Sequence, residues 1–145
     1  MTKSEKKEVL LKLLFMSIYT NELEIDDLID SYIWNNDEYL FTEIEVEDLK
    51  DLVKDIYKRY DVLDKIISDN LNGWHISRLA NTELSILRMT IYYILLKNGS
   101  DAYFVNEAVV LTKMYGSMDN SYRFVNGILA SIIKDKENIL NTYEI

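Results

Sequence analysis

Few residues of this 145-residue chain have the types and spacing that catalysis needs. Acid pairs are frequent between positions 43 and 55, but they fall on the solvent side of amphipathic stretches. General acid–base work needs carboxylates with shifted pKa values in a cleft, and no pattern here marks one. The single histidine, His75, has no second histidine or cysteine to share a metal with. Four scattered glycines cannot form a phosphate-cradling loop or a nucleophile elbow. What remains is binding chemistry at two places. Lys3, Lys6 and Lys7 cluster at the start of a helix, where backbone N–H groups add partial positive charge for phosphate. A solvated helix start is the plainer reading of the same lysines. The run Asn120-Ser121-Tyr122-Arg123-Phe124 offers a cation, hydrogen-bonding groups and two aromatic rings. RNA-binding surfaces use that mixture, because bases stack on rings while phosphates take arginine. Phe124 fits a core stripe with Ile128 equally well.

The elements that would position these residues are helices. The chain has no proline, so its segments between strong breakers are long. Ser4 can cap a first helix running to about Thr20, apolar almost all round from Val9 onward. Ile25, Leu28, Ile29, Tyr32 and Ile33 make a complete amphipathic stripe. Asn35-Asn36-Asp37 reads as a loop, and Thr42-Glu43-Ile44-Glu45 has the spacing of a capping box. Asp61 can cap a further helix that Asn72-Gly73 stops. Another runs from Asn81 or Thr82 to Asn98-Gly99, a shorter one ends at Gly116, and the last starts near Asp119 or Asn120. Residues 138–145 are expected to fray. The pattern predicts an all-α fold of about seven helices. They should form two small bundles, about 1–73 and 74–145, packed as one compact unit with Gly73 at the seam.

Composition narrows the function classes. Hydrophobic residues make up 48% and charged residues 28%, an ordinary globular balance. The absence of cysteine excludes disulfides and thiol chemistry and fits a cytoplasmic protein. No apolar run suggests a membrane span, and a secretory leader is not expected. The net charge of −9 argues against nucleic acid when taken alone. Its distribution does not. Residues 1–20 carry four lysines and two glutamates, residues 21–72 carry 16 acids and five bases, and residues 73–145 carry seven of each. A nucleic-acid face is thus confined to the two ends of the chain.

Several motifs resemble a known family. Trp74-His75-Ile76-Ser77-Arg78-Leu79, followed by Glu83-Leu84-Ser85-Ile86-Leu87-Arg88, looks like the W-x-x-x-R-L … E-x-x-I-L-R signature of the bacterial NusB transcription antitermination factors. Val105-Asn106-Glu107-Ala108-Val109, Lys113-Met114-Tyr115-Gly116 and Phe124-Val125-Asn126-Gly127-Ile128-Leu129 resemble further family segments, in the same order. The resemblance is specific between 74 and 129 and loose between 21 and 72.

The resemblance implies a non-enzymatic, cofactor-free RNA-binding factor. It would pair with the small-subunit ribosomal protein NusE, bind the boxA element of nascent ribosomal RNA, and act within an RNA polymerase antitermination complex. By position, Lys3, Lys6, Lys7, Phe15, Asn120, Arg123 and Phe124 stand at RNA-side positions. Glu83 and Tyr93 stand at the interface with the ribosomal-protein partner. Trp74, Arg88, Asn106, Glu107, Asn126 and Gly127 are read as structural. Asn106 and Glu107 would fix the packing of the helix at 82–97 on that at 119–134, the alternative being direct contact with RNA. Asn126-Gly127 would allow close helix approach, so Gly127→Leu should destabilise the fold. The acidic stretch 21–72 could attract a basic partner. The competing reading is a helical adaptor or homodimer that binds no RNA.

Overall fold

The computed structural model describes residues 1–145. It contains eight α-helices and no strand: α1 (Lys3–Ser17), α2 (Ile25–Trp34), α3 (Glu43–Lys58), α4 (Tyr60–Asp69), α5 (Asn81–Leu96), α6 (Asp101–Tyr115), α7 (Ser121–Lys134) and α8 (Lys136–Thr142). The one helix not expected is α8, which runs from Lys136 into the stretch 138–145 where fraying was expected. Its Ile139 is buried, and the Tyr143 hydroxyl beyond it donates to Asp69, which holds the segment in place.

The chain divides into two compact units, Met1–Lys58 and Arg59–Ile145. The division falls in the short break between α3 and α4, whereas Gly73 was the expected seam. The reason lies in α4. It packs against α5 and is tied to it by Arg88, so it belongs with the C-terminal helices.

In the first unit α1 packs against α2 and α3, and α2 against α3. Thr2, not Ser4, caps α1: its hydroxyl accepts from Glu5 N, and the Glu5 carboxylate accepts from Thr2 N. These hydrogen bonds hold the Glu5 carboxyl below its ordinary pKa. Val9, Leu10, Leu13, Ile25, Ile29, Leu49, Val53 and Ile56 have no accessible surface and form the core. Thr42 and Glu45 close a second capping box at α3, as the spacing predicts. Along the helix pair, Lys50 bridges Asp30 at 2.8 Å and Lys54 bridges Asp26 at 3.0 Å.

The second unit is built around α5, whose interior from Glu83 to Leu95 is almost wholly buried. It packs on α4, α6 and α7, and α6 packs in turn along α7. Arg88 grips Asp64 on α4 with two hydrogen bonds, Nε to Oδ1 at 2.8 Å and Nη2 to Oδ2 at 2.7 Å. Its guanidinium also lies 3.9 Å from the centre of the Tyr60 ring. Gly73 turns the chain after α4 at φ +86°, a left-handed conformation that other residues resist.

Two expectations about α6 and α7 need correction. Val125, Ile128, Leu129 and Ile132 face the core, which turns Asn126 and Gly127 to solvent. A Cβ placed on Gly127 would meet nothing within 4 Å, so this glycine serves no close helix approach. Replacing it with alanine should therefore raise stability by up to about 1 kcal/mol, the helix-propensity difference. A thermal melt checks this; an unchanged or lower midpoint contradicts it. Asn106 is likewise exposed on α6 and cannot anchor α5 to α7. Glu107 is half-buried and faces Tyr103 and Tyr93, so it acts between α5 and α6.

Candidate nucleic-acid interface

The start of α5, the Gly116–Asn120 connection and the first turn of α7 enclose a cleft of about 440 Å³. Trp74, Arg78, Glu83, Asn120, Arg123 and Phe124 are among its lining residues. Trp74 meets Phe124 with ring centroids 5.6 Å apart and the ring planes inclined at 40°. It is 59% exposed, so it is a rim residue with an open face and not the structural anchor expected. Phe124 is only partly buried, turned to the cleft and not into the core stripe. The Arg123 side chain donates from Nε to the Tyr122 hydroxyl at 3.2 Å. Lys113 reaches over the same ring at 4.7 Å from its centre. Tyr122 thereby holds two exposed cations beside the cleft.

Glu83 builds the cleft wall. Its Oε1 accepts from Ser117 N at 2.6 Å and from Ser117 Oγ at 2.8 Å. The residue is 3% exposed, so it is not an acid offered to a protein partner as the resemblance implied. Its carboxylate clamps the connection between α6 and α7, while Oε2 is buried with no hydrogen-bond partner. Gly116 makes this approach possible, because a Cβ there would stand 2.4 Å from Thr112 O and 3.3 Å from Glu83 Oε1.

Tyr93 lies away from this wall, half-buried between α5 and α6 with its ring 5.5 Å from that of Phe104. Burial, aided by the Glu107 charge, pushes its hydroxyl up to about 12. Its ring is occupied with internal packing, which leaves little for the partner contact expected of it.

The structure brings Asn120, Arg123 and Phe124 together and adds Arg78 and Tyr122. Arg78 carries no binding signal of its own in the sequence, since it stands in a short 3-10 turn, Ile76–Arg78, capped by His75. The N-terminal lysines form no open patch. Lys3 is exposed, Lys6 pairs with Asp48 on α3, and Lys7 is buried. Phe15 is moderately exposed on α1, in the first unit with these lysines.

The sequence matches the NusB family over residues 6–134. The chain belongs to the NusB family. It is 37% identical over 139 residues to the transcription antitermination protein NusB of Clostridium novyi, covering 92% of this chain and 99% of that protein. It is 36% identical over 116 residues to the NusB of Fusobacterium nucleatum subsp. nucleatum, covering 79% and 75%. Among solved structures, NusB of T. maritima superposes with a TM-score of 0.79 at 25% identity, covering 93% of this chain and 92% of that one. The motifs that resembled NusB in the sequence, from Trp74 to Leu129, all lie within the matched span.

Proposed function

We propose that this chain is an RNA-binding transcription antitermination factor. In this reading it recognises boxA-type single-stranded RNA of nascent ribosomal transcripts together with the ribosomal protein NusE. The observation that carries the reading is the Trp74–Phe124 ring pair in the cleft, with Trp74 59% exposed and Arg78 and Arg123 among the lining residues. Exposed rings give bases a stacking platform, and the arginines supply phosphate contacts. The name shared by its relatives, transcription antitermination protein, points the same way. Family membership gives the chain a regulatory and not a catalytic role.

The charge pattern makes the isolated protein a weak binder. Beside the cleft Arg78, Lys113 and Arg123 supply positive charge, and of the three N-terminal lysines Lys3 alone is exposed. On single strands each neutralised phosphate contributes roughly 0.7 to the salt slope, so the slope should be only about −2 to −3. A basic partner would complete the surface.

A gel shift of boxA-like RNA tests this, run with the protein alone, with NusE alone and with both. The expected result is a weak, salt-sensitive shift alone and a strong one with both proteins. Trp74→Ala or Phe124→Ala should weaken the joint complex about 10-fold to 100-fold, the worth of one stacked base. No shift in any lane containing this protein would instead support an adaptor that binds no RNA.

A further inference from the structure

The first unit carries an exposed feature that the RNA reading does not use. Helices α2 and α3 form a hairpin closed by residues 35–42. Trp34 ends α2, Leu40 lies in the loop, and Ile44 stands in the first turn of α3. They are 87%, 96% and 83% exposed. Topology brings all three to one end of the hairpin. Large apolar side chains gathered in this way mark contact surfaces more often than scattered single ones do.

The tip is also ordered and acidic. Asn36 Oδ1 accepts from Glu38 N at 3.0 Å, and Asn36 Nδ2 donates to the Tyr32 hydroxyl at 3.1 Å. Tyr39 and Phe41 meet edge to face with centroids 6.2 Å apart. The Thr42–Glu45 capping box fixes the start of α3. A platform fixed beforehand loses little entropy on binding. No lysine or arginine occurs between 35 and 49, while Asp37, Glu38, Glu43 and Glu47 do. Lower on the hairpin, Lys50 and Lys54 pair with Asp30 and Asp26. Glu47 reaches the same Lys50 at 3.9 Å and Glu45 pairs with the N-terminal ammonium, so Asp37, Glu38 and Glu43 supply the remaining negative charge around the apolar tip.

We propose that this tip docks a lysine- and arginine-rich segment of another protein that carries an apolar anchor. Charge decides among the occupants. RNA and an anionic lipid surface are both repelled by the tip, and so is the like-charged tip of a second copy. A cationic segment gains from the surrounding carboxylates and buries its anchor against Trp34, Leu40 and Ile44. The surface lies wholly within the first unit, and the proposal holds or fails independently of RNA binding by the cleft in the second.

The test uses the full-length, isotope-labelled protein and a short synthetic Lys/Arg peptide with leucines on one helical face. Amide and Trp34 indole resonances should shift at positions 34–47. Trp34→Ala, Ile44→Ala and the pair Glu43→Gln with Glu47→Gln should each weaken binding about 5-fold to 10-fold, as loss of a moderate hot spot does. These side chains are exposed, so circular dichroism should show the fold unchanged. Leu23→Ala should leave affinity unaltered: Leu23 is exposed too, but it precedes α2 at the far end of that ten-residue helix, about 15 Å away. Trp74→Ala, which impairs the cleft, should also leave it unaltered. The proposal is overturned if the tip variants bind the peptide normally, or if a peptide with serine for leucine binds equally well. It is likewise overturned if polyuridylate or phosphatidylserine vesicles perturb the tip instead, or if the tip mediates self-association in sedimentation.

Discussion

Replacing Arg88 with alanine should destabilise the protein by about 3 kcal/mol, because breaking a largely buried ion pair strands its partner. The magnitude follows from what would be left behind. Asp64 would keep its charge on α4 without either of its two hydrogen bonds, which measure 2.8 and 2.7 Å. Tyr60 would lose the guanidinium stacked on its ring. Asp64 is partly exposed, so water recovers some of the loss and keeps the cost at the lower end of the range for such pairs. For a domain of this size the melting midpoint should fall by roughly 6–12 °C. The informative companion is Arg88→Met with Asp64→Leu. If the pair chiefly sets which helices meet, and adds little net energy, the double variant should regain most of the lost stability. Calorimetry on the three proteins decides the matter: a double variant as unstable as Arg88→Ala would show that the ion pair itself is a net stabiliser.

The second large effect is expected at Gly116. Its φ of −60° suits any residue, so the constraint is space and not backbone conformation. An added methyl would stand 2.4 Å from Thr112 O and 3.1 Å from Thr112 Cγ2. That carbonyl is backbone and accepts the capping bond from Gly116 N at 2.7 Å, so it cannot step aside without opening the end of α6. Gly116→Ala should therefore cost about 2 kcal/mol or more, in the range for overpacking a closely packed position. It should also shift the connection that Glu83 holds through Ser117. RNA affinity should drop with it, even though Gly116 is not among the residues that line the cleft. Urea unfolding and the gel shift together test this, and normal values in both would show that the connection tolerates the displacement. Gly127→Ala provides the contrast, since its added methyl enters open space.

The fold was legible because periodicity reports burial directly. The stripe at 25–33 reappears on α2, where Ile25 and Ile29 are buried, and the Thr42–Glu45 capping box opens α3 as its spacing predicts. The breakers at Asn98-Gly99 and Gly116 fall where α5 and α6 end. Less visible was which bundle a helix joins. The stripe of α4 says that it buries a face, but not against what, and only the Arg88–Asp64 pair reveals its neighbour. The candidate surface was legible in part. Asn120, Arg123 and Phe124 are adjacent in sequence and share a helix start, so their grouping was visible. Trp74 and Arg78 join them only through folding. The lysine cluster misled for a physical reason: successive positions on a helix point in different directions. Lys3 faces water, Lys6 meets Asp48, and Lys7 enters the protein. Glu83 misled because an acid in a motif does not reveal whether a chain amide awaits it.

The chain has only two tryptophans, and they divide between the compact units: Trp34 in the first and Trp74 in the second, both substantially exposed. Each one's indole emission should therefore be sensitive to whatever covers its own surface. Trp74→Phe leaves a protein whose fluorescence reports on the hairpin tip alone. Trp34→Phe leaves one that reports on the cleft. The molecule thus carries two built-in optical reporters, and titrating RNA or a cationic peptide into each single-tryptophan form would assign every ligand to its surface without attaching a dye.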